Sequence, residues 1–405
     1  MAPLAAVVGL AAGILRPAAL ACGAFTAVFY AYASIAGSRR LRAARRAPAP
    51  APLPPVTVFK PLKGADAALE DNLASFCRQD YPCWQLILCL QSPDDPALAA
   101  AQNLRRRFPE ADIEVVVSKN RIGFNPKVNN LANAAAFAKY DLLLISDADV
   151  RVAPDFLRRM AAPFSDAAVG LVTSFYDSSH ARGVWGRLEA LSVNAGFLPQ
   201  ALASASFGMS FAMGAAMMVR RAAFEASGGF ENLADHLADD YWLGESVRAA
   251  GWRLEFADAL ATTVPDIDGA AGHLRHMTRW ARTIRLCQPA GHAGSVVLQG
   301  FSLLTISAAL TWIAGARADS TVLALAAAVW AVKAWTAARL ARAGGGRLDP
   351  VSAWLIPLGE WTGFAAWTGS WTSSRVQWRG QLYDVRRQGR LVPVGAPRAE
   401  LALEP

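Results

Sequence analysis

The chain has 405 residues, 54% hydrophobic and 18% charged, and its 40 lysines and arginines against 32 aspartates and glutamates leave a formal charge of +8. A mean hydropathy of +0.23 beside that many charges gathers the apolar residues into blocks, which excludes a disordered or fibrous chain and points to a membrane protein with a polar portion. Five cysteines, Cys22, Cys77, Cys83, Cys89 and Cys287, are odd in number and show no C-x-x-C spacing, so neither a disulfide framework nor a structural zinc site is expected.

The first apolar block, Ala18 to Ala36, carries no charge and succeeds an apolar run from Pro3 to Leu15. About twenty apolar residues cross a bilayer core. Arg39, Arg40, Arg42, Arg45 and Arg46 come after it, which favours an uncleaved anchor over residues 1–38 rather than a signal peptide. The positive-inside rule then puts the chain beyond that arginine cluster in the cytoplasm. Residues 39–55 read as a basic linker whose Pro/Ala run from Ala47 to Pro55 is a stiff spacer.

Over 56–290 short β-rich runs, VTVFKPL, WQLILCLQ, IEVVVS and DLLLIS, alternate with helical stretches. That alternation predicts an α/β domain: a mixed, mostly parallel sheet with helices on both faces. Three further apolar blocks fall in 291–374. Ser295 to Ala314 and Thr321 to Ala338 are expected to form a hairpin of two spans. Val351 to Trp371 contains Pro357, Glu360 and four tryptophans, and a full crossing would strand the basic tail, 375–405, outside. It is therefore expected to lie at the interface or to re-enter, with an ordinary further span as the alternative.

Sheets of this class bind ligands at the carboxyl ends of their strands. The second strand ends in Ser92-Pro93-Asp94-Asp95-Pro96 and the fourth in Ser146-Asp147-Ala148-Asp149. Carboxylates two apart at a strand mouth suit one Mg²⁺ or Mn²⁺ whose other ligands are phosphate oxygens. A strand-end D-x-D also caps turns, and the pairing of two acidic strand ends in one sheet raises the chemical reading. Asp239 and Asp240 open a later helix, where a carboxylate serves either as a general base or as an ordinary cap. Arg275, Arg279, Arg282 and Arg285 share one helical stripe, which reads as a solvated face or a membrane-surface contact, while Arg279 beside Trp280 also suits a departing diphosphate.

Taken in order, KPLKG, QSPDDPA, NPKVNNL, ISDADVRVAPDFL, ADDYWLGE and HMTRW resemble the ceramide glucosyltransferase family and the similar hopanoid-associated glycosyltransferases of bacteria. The resemblance covers Pro55 to Pro289. It implies a membrane-bound, inverting enzyme of the GT-A fold. By position, Asp94 or Asp95 would hold the nucleoside side of a UDP-sugar, with Asp95 the better fit. Asp147, joined here by Asp149, would hold the metal, and Asp240 would be the catalytic base. The last motif, usually Q/R-x-x-R-W, keeps Arg279 and Trp280 and has His276 at its first position, whose charge depends on pH. Lys60, Lys63 and Lys127 fall in family-like segments and are candidates to meet phosphate.

The implied reaction moves a hexose, of glucose or N-acetylglucosamine type, to a lipid hydroxyl of ceramide or a hopanoid at the bacterial inner membrane. Gly183 to Met218, apolar and rich in small residues, is expected to line the acceptor's entrance in part, and a buried core helix accounts for the same composition equally well. A nucleic-acid partner is not expected. The alternatives are a processive polysaccharide synthase of the same fold and a non-catalytic membrane scaffold.

Overall fold

The computed structural model describes residues 2–46, 53–179, 183–378 and 381–395. In chain order the elements are α1 (Ala2–Arg46), β1 (Val56–Pro61), α2 (Leu69–Cys77), β2 (Trp84–Leu90), α3 (Ala97–Arg107), β3 (Ile113–Val117), α4 (Pro126–Ala135), β4 (Leu142–Ser146), β5 (Val150–Arg151), α5 (Phe156–Ala161) and β6 (Val169–Ser178). Then come α6 (Gly183–Leu191), α7 (Leu198–Ser206), β7 (Ala216–Arg220), α8 (Arg221–Ala226), α9 (Asp239–Ala249), β8 (Arg253–Thr263) and α10 (Gly269–Cys287). The rest are α11 (Pro289–Gly294), α12 (Gly300–Ile313), α13 (Ser320–Gly344), α14 (Pro350–Ser370), β9 (Arg375–Trp378), β10 (Gln381–Val385) and β11 (Leu391–Pro393).

The chain folds as two units. The sheet unit holds the described residues of 44–179, 209–266 and 374–395, and the helical unit those of 2–43, 183–208 and 267–373. This grouping departs from the expected 56–290 domain at both of its inner boundaries. Residues 183–208 and 267–290 are apolar or amphipathic helices that pack among helices, and the segment expected as a basic tail returns to the sheet unit as the antiparallel sheet β11-β10-β9. The arginines of that segment alternate with Val376, Tyr383, Val385 and Leu391, all buried, so strand periodicity outweighs charge there. The described part of the 39–55 linker also differs, because α1 runs on through the arginine cluster to Arg46. Most of the Pro/Ala spacer, 47–52, and the last ten residues, 396–405, lie outside the described residues.

In the sheet unit eight strands run in the order β3-β2-β1-β4-β7-β6-β8-β5. β3, β2, β1 and β4 are mutually parallel, as are β6 and β8, while β7 is antiparallel to β4 and β6, and β5 to β8. This is the GT-A-like mixed sheet expected. Every residue of β1 and of β4 is buried, which explains why these strands read as nearly continuous apolar runs. Burying each such Val, Leu or Ile side chain contributes about 1.5–3 kcal/mol. Strand order reverses between β1 and β4, so the crevice at their carboxyl ends is where such a sheet takes a ligand. Residues 147–149 leave β4 at that point.

In the helical unit, α1 and α13 are long and apolar enough to cross a membrane. Asp319 caps α13 by accepting from the Thr321 and Val322 N–H groups at 3.0 and 3.3 Å, and it pairs with Arg16 of α1 at 2.5 Å. A Cβ on Gly300 would lie 2.8 Å from the Cys22 carbonyl and from Gly23 Cα, so α1 and α12 approach backbone to backbone through small residues. The block from Ser295 to Ala314, expected as one span, is bent by 60° between Pro289–Leu298 and Gly300–Ile313. At 1.5 Å per residue, α12 alone is about 21 Å long, shorter than a bilayer core. α14 is a continuous helix through Pro357, and its Asp349 cap accepts from Ser352 N–H at 3.1 Å and pairs with Arg187 at 2.6 Å.

Candidate active site

α4 begins where NPKVNNL dictates. Asn125 is extended and accepts from the N–H groups of Lys127 (2.9 Å) and Val128 (3.1 Å), while Pro126 takes the first helical position, where a missing N–H costs nothing. The Asn125 amide donates to the His236 carbonyl at 2.7 Å. Asn129 closes the preceding loop, accepting from Ile122 N–H at 2.9 Å and donating to the Gly123 carbonyl at 2.9 Å. Gly123 has no room for a side chain, since a Cβ there would sit 2.6 Å from Ala234 Cβ and from its carbonyl oxygen.

These bonds fix Lys127 in the first turn of a helix, where the macrodipole disfavours a cation. Carboxylates hold it there. Its ammonium lies 2.9 Å from Asp147 Oδ1 and 2.9 Å from Asp239 Oδ2, with 9% of the side chain exposed. Burial works against the charge, but Asp147, Asp239 and Asp240 together outweigh it and raise the Lys127 pKa above the ordinary lysine value. Asp147 thus has a cationic partner within the chain, and its side chain is still 39% exposed.

Lys60, at the end of β1, is fully buried and supports the same turn from beneath. Its ammonium donates to Ser146 Oγ (3.2 Å), the Asp147 carbonyl (2.6 Å) and the Val150 carbonyl (3.3 Å), and lies 3.9 Å from the centre of the Phe76 ring. Burial pulls its pKa down to about 7, against the pull of Asp149 and Asp147 in the other direction. Lys60 is therefore a buried prop of the D-x-D turn rather than an exposed phosphate ligand. Asp149 is half-buried, and burial together with repulsion from Asp147 pushes its carboxyl up to about 6. Among the described residues no cluster of three His, Cys, Asp or Glu side chains converges as a metal site. Asp147 and Asp149 supply two mutually repelling carboxylates, a donor set that fits a hard divalent ion completing its shell with diphosphate oxygens and water.

Asp239 and Asp240 form the first turn of α9, where the helix dipole favours negative charge. Asp239 is buried against Lys127. Asp240 accepts from the Tyr241 N–H at 2.8 Å, and burial together with the Asp239 charge pushes its carboxyl up to about 6. Gly214 faces it closely: a Cβ there would stand 3.0 Å from Asp240 Oδ2. The neighbouring Tyr176 phenol is raised as well, first by burial and then by the charges of Asp240, Asp149 and Asp147. One locus of the sheet unit thus gathers Asp147, Asp149, Asp239, Asp240 and two lysines.

The two residues of the QSPDDPA segment part company. Asp95 is half-buried and ties two strand ends together, accepting from Gly64 N–H at 2.8 Å and from Ala97 N–H at 3.0 Å. Asp94 is exposed and bonds only locally with Ser92 among the described contacts. Nearby Lys63, Gln91, Arg121, Phe124, Trp378 and Tyr383 line a cavity of about 650 Å³ in the sheet unit. Its far wall comes from the C-terminal strands, where composition had pointed only to a basic tail.

Arg279, Trp280 and His276 lie on α10, in the helical unit. His276 Nδ1 is hydrogen-bonded to Glu189 Oε1, and its ring is tilted 58° to that of Trp280, 4.8 Å between centroids. His273 engages the other Glu189 oxygen at 2.7 Å and Thr362 Oγ1 at 3.2 Å. Burial disfavours the Glu189 charge, yet the hydrogen bonds and charges of the two histidines prevail and bring its carboxyl down to about 2. This Glu189-His273-His276 cluster was not foreseen, and neither was the part played by Asp239 or the burial of Lys60. His276 is held by a carboxylate inside its own unit, which sets it apart from the Gln or Arg usual at that motif position. The stretch from Gly183 to Met218 divides, its helices α6 and α7 joined by a π-helical turn at Ser192–Phe197 and belonging to the helical unit, while β7 is in the sheet.

Among curated relatives, ceramide glucosyltransferase 1 of Caenorhabditis elegans is 28% identical over 237 residues, 58% of this chain and 50% of that protein. The ceramide glucosyltransferase of Komagataella phaffii is 38% identical over 116 residues, 27% of this chain and 23% of that protein. An N-acetylglucosaminyltransferase of Rhizobium leguminosarum bv. viciae is 28% identical over 248 residues, covering 57% of this chain and 56% of that one. The chain spans about half the length of the curated relatives it matches. Among solved structures, a mannosyltransferase from Pyrobaculum calidifontis in complex with GDP-Man and Mn²⁺ superposes with a TM-score of 0.46 at 19% identity, over 87% of this chain and 97% of that one. The fold class rests on the strand order itself. The family model of glycosyl transferase family 21 matches residues 19–391, from within the first apolar helix to the last strand, and the chain belongs to that family.

Proposed function

We propose that the chain is a membrane-bound inverting glycosyltransferase that moves a hexose from a UDP-sugar to a hydroxyl of a lipid, ceramide or a hopanoid. The observation that carries this reading is Lys127, bridging Asp147 of the D-x-D turn and Asp239 beside Asp240, so that the metal and base motifs meet in one locus. The nucleoside is assigned to the cavity near Lys63 and Gln91, with Asp95 bracing its rim. Asp147 and Asp149 would hold Mg²⁺ or Mn²⁺, which when bound neutralises charge on the diphosphate. The roles of Arg279 and Trp280 toward the leaving diphosphate, and of His276, rest on the motif alone.

Asp240 takes the proton of the lipid hydroxyl as that oxygen bonds to the anomeric carbon. The bond from that carbon to the diphosphate oxygen breaks on the opposite face, and UDP leaves with the electron pair. Lys127 keeps Asp240 ionised near neutral pH by opposing the effects of burial and Asp239. The acceptor explains the membrane helices, since each methylene drawn into water costs about 0.8 kcal/mol. We place the chain in the bacterial inner membrane as a multi-pass protein with the sheet unit on the cytoplasmic side, and the 351–371 block at the interface. The test is mass spectrometry of lipids from cells expressing the chain against cells carrying an empty vector. A new hexosylated or N-acetylhexosaminylated ceramide or hopanoid supports the reading, and an unchanged lipid profile with the protein present in the membrane contradicts it.

A further inference from the structure

The cavity of about 650 Å³ in the sheet unit has one wall that the motifs leave without a role, the wall built by β9, β10 and β11. In their antiparallel register Trp378 stands opposite Gln381, Val376 opposite Tyr383, Tyr383 opposite Pro393 and Val385 opposite Leu391. Strand alternation therefore puts these side chains on one face of the small sheet. Val376, Val385 and Leu391, at one end of that face, are buried. At the other end Trp378 and Gln381 line the cavity, together with Tyr383 and Pro393. Tyr383 is buried, whereas Trp378 is half-buried and Gln381 exposed, so the last two offer surface to a ligand.

Backbone bonds hold this wall in place. Leu391 N–H donates to the Asp235 carbonyl at 2.7 Å, and Leu237 N–H donates to the Gly389 carbonyl at 2.9 Å. The same loop, 234–237, holds the opposite wall, where Phe124 N–H donates to Asp235 Oδ1 at 2.8 Å and Asn125 N–H to the Ala234 carbonyl at 2.7 Å. One loop thus fixes both walls before a ligand arrives, which lowers the ordering cost of binding.

The lining specifies the ligand. Lys63 and Arg121 are exposed cations, and no carboxylate is among the lining residues. An indole face stacks on a nucleobase, and the Gln381 amide offers a donor beside an acceptor, the complement of the adjacent N–H and C=O groups of uracil. Strand order sets the direction. Arg121, Gln91 and Lys63 follow β3, β2 and β1, and the D-x-D turn follows β4, the next strand, roughly 5 Å from β1. Pro126 lines the cavity, and the residue after it, Lys127, is paired with Asp147. A nucleotide whose base lies in the cavity therefore has its diphosphate toward Asp147.

We propose that Trp378 and Gln381 bind the nucleobase of the sugar donor, so that strands placed after the apolar helices in the sequence complete the donor site. This deepens the glycosyltransferase reading and rests on it for the identity of the nucleotide.

The experiment measures equilibrium binding of UDP, with Mn²⁺ present, to the purified full chain in detergent. Trp378→Ala is expected to weaken UDP binding by about 5- to 150-fold, the worth of one base–aromatic stack, with an unfolding midpoint close to the parent's. Trp378→Phe keeps a stacking face and should retain most of the affinity, a rescue that a purely structural role for the indole would not give. Gln381→Ala, at an exposed position that folding does not depend on, should weaken UDP by about 2- to 10-fold. UDP affinity equal to the parent's in Trp378→Ala or in Gln381→Ala overturns the inference, and so does a parent that binds no UDP. Trp378-sensitive UDP binding in a chain that transfers no sugar would sink only the transferase reading, and sugar transfer by a chain whose UDP affinity ignores Trp378 would sink only this one.

Discussion

Replacing Lys127 with Met removes the cation that stands between the metal and base motifs while keeping most of its length. Breaking a buried ion pair by deleting one partner costs about 3–5 kcal/mol, because the other charge is left without compensation. Asp147 is 39% exposed and can take up water, whereas Asp239 is 10% exposed and cannot, so the lower end, about 3 kcal/mol, applies. A sheet unit of this size loses about 2–4 °C per kcal/mol, which gives a fall in unfolding midpoint of about 6–12 °C. The sign with pH is set by the direction of the shift. The Lys127 pKa is raised on folding, so its contribution is complete below the ordinary lysine value and is lost only as pH rises through the raised one. A measurement at pH 7.5 therefore sees all of it.

The same substitution has a catalytic signature. Lys127 lowers the Asp240 pKa, while burial, Asp239 and Asp147 raise it to about 6. Without Lys127 only the hydrogen bond from the Tyr241 N–H still opposes the raising influences, and the acid limb of the pH–rate profile moves to higher pH. Thermal unfolding in detergent and initial rates from pH 5 to 9 check both parts. A midpoint within about 2 °C of the parent, less than 1 kcal/mol by the same conversion, would refute the ion-pair argument. An unmoved acid limb would refute its link to Asp240.

In the parent, transfer should rise with pH through about 6 as Asp240 loses its proton, and a rate flat from pH 5 to 8 would count against it as base. Gly123→Ala forces a Cβ to 2.6 Å from Ala234 and should cost about 1–3 kcal/mol of stability by urea or thermal unfolding. Gly214→Ala presses on Asp240 Oδ2 and should lower kcat while leaving the unfolding midpoint nearly unchanged. Chelation with EDTA should abolish transfer and Mn²⁺ or Mg²⁺ should restore it, whereas full activity in metal-free buffer would remove that role from Asp147 and Asp149. Glu189 has a depressed carboxyl pKa, so its stabilisation is present above about 4.5 and lost as pH falls toward about 2. Glu189→Gln should flatten that part of the stability profile.

Much of the sheet unit was legible because its parallel strands are buried on both faces and therefore appear as apolar runs between turn residues. The antiparallel insertions β7 and β5 were not legible, since strand order is set by which edge a hairpin reaches and not by composition. NPKVNNL carried its own helix start, yet the use of Lys127 was hidden: its partners Asp147 and Asp239 lie 20 and 112 residues away, and no spacing rule joins them. Glu189 and His273 are 84 residues apart for the same reason. The C-terminal strands were misread because arginines drew attention from the alternation of Val376, Tyr383 and Leu391.

The central claim, that Asp240 is the base of a sugar transfer performed in the Lys127-centred site, is tested most directly by Asp240→Asn at saturating UDP-sugar and lipid. The expected result is a kcat lower by about 10²–10⁴, the usual worth of a positioned general base, with donor affinity close to the parent's. Turnover equal to the parent's, with the donor still bound, would contradict it.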